Sequence, residues 1–426
     1  MTMHTIMRRV CSVVVVLLLA ACGMLAPPPS ATPPPTDVSA TSTALPVPTL
    51  DSPPTTANQP TAVSANPLTL PPTPTPEPLP LTLWVAEEGA AFERVQQLAA
   101  EYGAASNLAI AVVPKRAAAL RADLLAAQLI GVGLPDMIWA DQDVLAELLI
   151  DGQLQPTATL DPAQVVSAAL TGATADGHLW GVPLLLDNFL LLLYNRQLIG
   201  QPPTNSDDLI IASRGTQQGN RFGIAANWTA ARWAVPWLAG FGGALTTPDG
   251  NQPTLNTPQM ISTLNLLREL QRAAPPAETT TTSPLEPFAA GNVAMALDGT
   301  WALSVYQQAP VAPDLGVAPL PRVSATGQPA ATLVDVTYLL LPATLEGELL
   351  AAVQGFAAYL SMPPIQAQLA RDLQRAPALR ASLTDQLLTD DPLLMALATQ
   401  AEAAISVPPL VAPAAPLPPS IHSFHC

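Results

Sequence analysis

Residues 176–199, DGHLWGVPLLLDNFLLLLYNRQLI, decide how the chain is to be read. Gly177 and Gly181 open backbone angles closed to other residues and Pro183 fixes its own φ, so a polar turn leads into a nearly continuous apolar run. The run is too short and too interrupted to span a membrane, which leaves buried strand. Asp187 and Asn188 place a carboxylate and an amide among its leucines. An unpaired carboxylate in such a segment costs on the order of several kcal/mol, so Asp187 is expected to have a partner.

The 426 residues, 49% of them hydrophobic, suffice for two or three domains with a sizeable core. Of the 49 prolines, 18 fall in residues 26–80, so the folded part is expected to start near Leu81. Residues 1–21 hold Arg8, Arg9 and no acid; without them 14 basic residues face 32 acidic ones, a balance of −18. Lys115 is the single lysine. Such a chain lacks the basic patches that phosphate binding needs, which argues against a nucleic-acid partner.

Arg8 and Arg9 followed by an apolar stretch over 13–21 have the layout of a signal peptide, residues 1–21. Leu19-Ala20-Ala21-Cys22-Gly23 resembles the lipobox of bacterial lipoproteins, which implies a diacylated Cys22. With Cys11 removed and Cys22 lipidated, only Cys426 remains, and no disulfide can form within the mature chain. Residues 26–80, rich in proline, threonine, serine and alanine, cannot build a core. They read as an extended tether of at most about 170 Å, so that residues 22–80 together form lipid anchor and spacer.

The folded chain opens with a strand, Leu81 to Ala86, then a helix with Phe92, Val95, Leu98 and Ala99 on one face, which Gly103 is expected to end. An apolar run from Leu108, a helix around 117–130 and a strand before Trp139 complete a β-α-β-α-β order. That order predicts a parallel sheet covered on both faces, with ligands beyond the carboxyl ends of its strands, where Glu87, Glu88 and Asp141 fall.

This succession resembles the family 1 extracellular solute-binding proteins of bacterial ATP-binding-cassette importers, the group containing maltose-binding protein. The resemblance covers most of residues 81–410. It rests on the strand ending in Trp84, Leu134-Pro135-Asp136, Gly181-Val182-Pro183 followed by Tyr194-Asn195, and Pro202-Pro203-Thr204. Further on it rests on Gly242-Gly243, Asn256-Thr257-Pro258, Phe288 to Met295, Asp298-Gly299-Thr300-Trp301 and Gly316 to Pro321. The resemblance implies an α/β, two-lobed periplasmic-binding-protein-like fold of type II with the ligand cleft between lobes. Lobe 1 is expected over 81–186 and 334–385, lobe 2 over 187–333 and 386–410, with an irregular tail over 411–426. Residues 176–199 then carry the first crossing between lobes and residues 332–341, with Asp335, the second.

The family positions imply ligand contacts from Trp228, Trp233 and Trp301, whose indole faces suit the apolar face of a sugar ring. For Trp84, Trp180 and Trp237 core packing is the expectation. Carboxylates accept paired hydroxyl hydrogen bonds and so suit vicinal diols, the role expected of Glu88, Asp141, Asp187 and Asp335, with Asn188 as the alternative to Asp187. Asp187→Ala is expected to weaken binding without unfolding the lobes. The implied function is capture of a carbohydrate, an oligosaccharide, and its delivery to an ABC-type permease by a lipid-anchored monomer on the outer face of the membrane. No cofactor and no metal are expected.

Other readings stay open. A cationic amine-type solute would use the same acids and aromatics, a surface sensor could keep the fold without transport, and two carboxylates could hydrolyse a glycoside. No nucleophile, zinc or phosphate-binding motif supports an enzyme; His178 reads as a solvated turn residue, and His422, His425 and Cys426 sit on an end that would not hold metal geometry. Beyond residues 407–410 the family's aromatic-bearing helix is expected to be missing, which implies either a site more open than in the relatives or an impaired protein.

Overall fold

The computed structural model describes residues 77–409, apart from 132, 159, 248–251, 277–282 and 309–314. The leader, Cys22, most of the tether and the tail with His422, His425 and Cys426 lie outside the described residues.

β1 (Leu79–Val85), β2 (Leu108–Pro114) and β3 (Met137–Asp141) alternate with helices Gly89–Ser106 and Ala117–Ile130, and helix Gln142–Ile150 follows. β1 pairs in parallel with β2 and β3. The first helix does not stop at Gly103. Its turn there passes against β2, where a side chain would put Cβ 2.7 Å from the Leu108 carbonyl oxygen, and the helix ends instead at Asn107 in the left-handed conformation. The glycine serves close approach, and the asparagine supplies the cap.

The decisive stretch resolves into two strands and a turn. Asp176 and Gly177, both with positive φ, link β4 (Thr174–Ala175) to β5 (His178–Leu179) as a two-residue hairpin turn of the I′ kind demands. β6 (Val182–Asp187) and β7 (Leu190–Asn195) follow, each almost wholly buried. Between them Asn188 has φ 59°, a conformation asparagine tolerates where leucine would not, and this single residue sends the chain from one sheet into another.

β7 joins β8 (Phe222–Ala226), β9 (Val293–Gly299) and β10 (Leu315–Ala318) in a four-stranded sheet of order β10-β7-β9-β8. The chain then returns as β11 (Asp335–Leu340) and, after helices Gly347–Leu360 and Pro363–Leu373, as β12 (Ala376–Pro377). The first sheet has the order β12-β6-β11-β3-β1-β2. It is mixed, not wholly parallel: β11 is antiparallel to both β3 and β6, because it re-enters from the opposite side.

Two buried clusters organise the sheets: the first runs through the first sheet and takes in one face of the second through Leu191, Leu193 and Ala296, and the other covers the opposite face of the second sheet. Trp139, Tyr338 and Phe356 lie in the first; Trp237, Leu270 and Met295 lie in the second. Trp84 and Trp237 are core residues, and Trp180 is half-buried with its indole N–H donated to the Ala175 carbonyl. Helix Pro392–Ala401 returns to the junction, where the Gln400 amide accepts from Leu320 N and donates to the Ala330 carbonyl. Beyond it Ile405 pairs with the 332–334 segment. Three chain segments therefore meet between the sheets: 188–189, 330–334 and 404–406. Among the described residues no helix is long and apolar enough to cross a membrane.

Candidate functional site

The junction gathers acids for a topological reason. Asp141 ends β3 and Asp187 ends β6, Glu87 follows β1, and Asp335 begins β11, whose reversed direction brings its first residue to the same edge. Asp187 and Asp335 are direct cross-strand partners, an arrangement of like charges that destabilises unless neutralised.

Two arginines and two neutral donors answer this charge. The Arg375 guanidinium donates to both Glu87 oxygens at 2.6 and 3.0 Å and lies 3.0 Å from Asp187 Oδ2 through Nε. Burial lowers its pKa, but the bonds to Glu87 and the field of both acids outweigh that and raise it. Asp187 Oδ1 also accepts from the Thr300 hydroxyl at 2.7 Å and from Asn188 N at 2.6 Å. The Asn188 amide donates to Asp335 Oδ2. Arg232 gives hydrogens from one terminal nitrogen to the carbonyls of Asn188, 2.5 Å, and Leu333, 3.0 Å, and burial lowers its pKa against the pull of Asp335 and Asp187. Asp141 caps helix Gln142–Ile150 by accepting from Asp143 N and Val144 N, and its pKa is raised first by burial, with the nearby charges of Asp143 and Asp335 adding to it.

The second lobe brings aromatics to the same place. Trp301 follows β9 and is 45% exposed; the Arg232 guanidinium carbon stands 5.3 Å from its ring centre. The Trp233 ring meets the edge of Trp301 at 5.9 Å and is fixed by an indole hydrogen bond to the Leu297 carbonyl. A large aromatic face left open beside fixed polar groups is a platform for a ring with one apolar face. Gly299 sets its height, since a Cβ there would lie 2.1 Å from Trp301 ring atoms. Gly299→Ala should displace the indole and weaken solute binding with little loss of Tm, read by tryptophan fluorescence together with calorimetry.

Of the residues expected to contact ligand, Asp187, Asn188, Asp335, Trp233 and Trp301 come together at the junction, with Asp141 on the neighbouring strand. Glu88, next to Glu87, is the exposed N-cap of helix Gly89–Ser106 and makes no capping bond. Trp228 packs on the second core, its indole nitrogen buried without a hydrogen-bond partner. Glu87, expected at the strand ends though not as a ligand contact, belongs to the cluster, and so do Thr300, Arg232 and Arg375, which were not among the expected residues. Glu87 and Arg375 lie 288 residues apart, a pairing that no local pattern encodes. A signal did exist for Arg232, a cation between Trp228 and Trp233 in a chain with only 16 basic residues.

Residues 97–396 match the profile of a family described as bacterial extracellular solute-binding protein. The chain belongs to that family. The resemblance drawn from the motifs and the two-lobed fold agree with it. Among relatives of this solute-binding protein, the maltotriose-binding protein of Pyrococcus abyssi is 25% identical over 225 residues, covering 51% of this chain and 48% of that protein. A maltooligosaccharide ABC transporter solute-binding lipoprotein of Streptococcus pneumoniae is 24% identical over 204 residues, with 45% and 48% covered. The chain spans about half the length of the curated relatives it matches. The maltose-binding periplasmic protein MalE of Listeria monocytogenes, solved with maltose, superposes with a TM-score of 0.67 over 78% of this chain and 87% of that one at 19% identity, a likeness of fold.

Proposed function

We propose that this solute-binding protein captures a carbohydrate, an oligosaccharide of the maltodextrin kind, and delivers it to an ABC-type permease, acting as a monomer held to the outer face of the membrane through Cys22. The observation that carries the reading is the exposed Trp301 next to Thr300, whose hydroxyl bonds Asp187, with Asp335 facing Asp187 across the strand pair. A sugar ring stacks its C–H face on an indole while its hydroxyls reach carboxylate oxygens, and the two needs are met here from opposite lobes. Closure follows if those contacts are complete only when the lobes meet. The names of the relatives support the α-glucan class. Binding of this kind needs no cofactor and performs no chemistry on the solute.

A thermal-shift and calorimetric panel of maltotriose, other neutral oligosaccharides, amino sugars, polyamines and peptides tests the class. Stabilisation by maltooligosaccharides alone is the expected result. Stabilisation by polyamines without any sugar response would replace the reading with a cationic solute. Scattering should show a smaller radius of gyration with bound sugar, and binding without compaction would refute capture by closure. Trp301→Ala should weaken maltotriose binding at least tenfold, about 1.4 kcal/mol, as truncation of a central aromatic anchor does. An unchanged Kd would remove Trp301 from the site.

A further inference from the structure

Arg232 sits at the one place where the two inter-lobe crossings and the aromatic platform converge. Its terminal nitrogen bonds carbonyls of Asn188 in the first crossing and Leu333 in the second, and the crossings are tied again by the Asn188 amide on Asp335. The residue itself lies in the short helix Ala231–Trp233 beside the second sheet, so the clasp joins the second lobe to two of the three segments that meet between the sheets. The same guanidinium stands over the Trp301 ring. Its Nε is buried and has no acceptor among the protein atoms. An arginine serving only to neutralise Asp187 and Asp335 would have no need of two backbone carbonyls. Donation from one nitrogen to two carbonyls fixes those backbone positions relative to each other and to the helix that carries Arg232.

We propose that Arg232 is a positioning residue coupling solute to hinge, clasping the carbonyls of both crossings while edging the Trp301 platform, so that a ring held on Trp301 stiffens the junction. The clasp is a property of the protein by itself; only the coupling to solute rests on the carbohydrate reading above.

Hydrogen exchange with mass spectrometry, with and without maltotriose, combined with calorimetry, separates these parts. In ligand-free Arg232→Gln, whose amide nitrogen has two hydrogens but sits on a shorter side chain that does not reach the two carbonyls, peptides covering residues 186–191 and 332–336 should exchange about fivefold faster while the sheet cores keep their protection. Maltotriose binding should weaken about tenfold. Arg232→Lys, with charge and several donors, should recover part of both. Trp301→Ala should leave ligand-free hinge exchange unchanged and abolish the protection that maltotriose confers there. Hinge exchange in Arg232→Gln equal to the parent's, or acceleration spread equally over both lobes, would overturn the clasp. Retained affinity and retained ligand-induced protection would overturn the coupling. Should Arg232→Gln fail to fold, Arg232→Lys identical to the parent in both measurements would overturn the proposal. If the parent protein binds no maltotriose, the carbohydrate reading falls, and the ligand-free comparison alone sustains or sinks the clasp.

Discussion

Arg375→Met should lower the unfolding free energy by about 3–5 kcal/mol, the penalty for breaking a buried ion pair from one side. Arg375 and Glu87 side chains are only 18% and 12% exposed, and Glu87 depends on the guanidinium for both oxygens, with a longer Trp139 indole bond at 3.3 Å as its other contact. Removing the cation also leaves Asp187 facing Asp335 across the strand pair with one neutraliser fewer. The pair lies largely within the first lobe, so the loss should appear in denaturant unfolding of the ligand-free protein. The double variant Arg375→Met with Glu87→Gln should recover much of it, because the orphaned charge disappears. A single variant as stable as the parent would show that the ion pair contributes nothing net. The same geometry bears on Asp187→Ala: that carboxylate already accepts from Thr300 and Asn188 and pairs with Arg375, so its loss should reduce stability as well as affinity.

The second large effect concerns pH. Asp298 on β9 is 3% exposed, and burial pushes its pKa up to about 6 from an ordinary 3.8, against the lowering effect of hydrogen bonds from the Tyr306 hydroxyl, 2.7 Å, and Gly299 N, 2.8 Å. Between those two values the folded state holds a proton that the unfolded state has released. Stability from this group is therefore full below about pH 4, falls as pH rises through about 6, and stays lower above, by about 3 kcal/mol in all. Asp298→Asn keeps a hydrogen-bonding partner for Tyr306 and removes the ionisation. Its unfolding free energy relative to the parent should climb across pH 4–6 and then level off, measured by urea unfolding at several pH values. A difference independent of pH would show that the carboxyl does not titrate in that window.

How far the sequence carries can be judged at particular residues. The alternation of strands and helices over 79–150 is a local signal, legible because burial imposes its period on the residues that are buried, whereas the crossing after Asp187 and the return at Asp335 came from the resemblance to the solute-binding family. Gly103 was misleading, since a glycine that ends a helix and one that admits a neighbouring strand look alike in sequence. The reversed β11 could not be read from a β-α-β pattern, because strand direction is set by a connection running through the entire second lobe. At the junction the acids stood out against leucines, whereas their partners did not. Arg375 and Thr300 are ordinary surface-type residues until topology brings them to Glu87 and Asp187.

The place of β11 also dictates when each half can form. It lies between β3 and β6 in the first sheet, yet it emerges only after the whole of the four-stranded sheet has been made. The strands of the second sheet all lie within residues 190–318, ahead of β11 in the chain, although one face of that sheet is covered only by the shared cluster. The first must wait with its central position open and strand edges unpaired until residue 340 is available. Such delayed, non-local closure slows folding and prolongs the interval in which an open edge can recruit another chain. A newly made molecule should therefore pass through a species with the strands of the second sheet paired and the first sheet still open. Aggregation during refolding is expected to begin at β3 and β6.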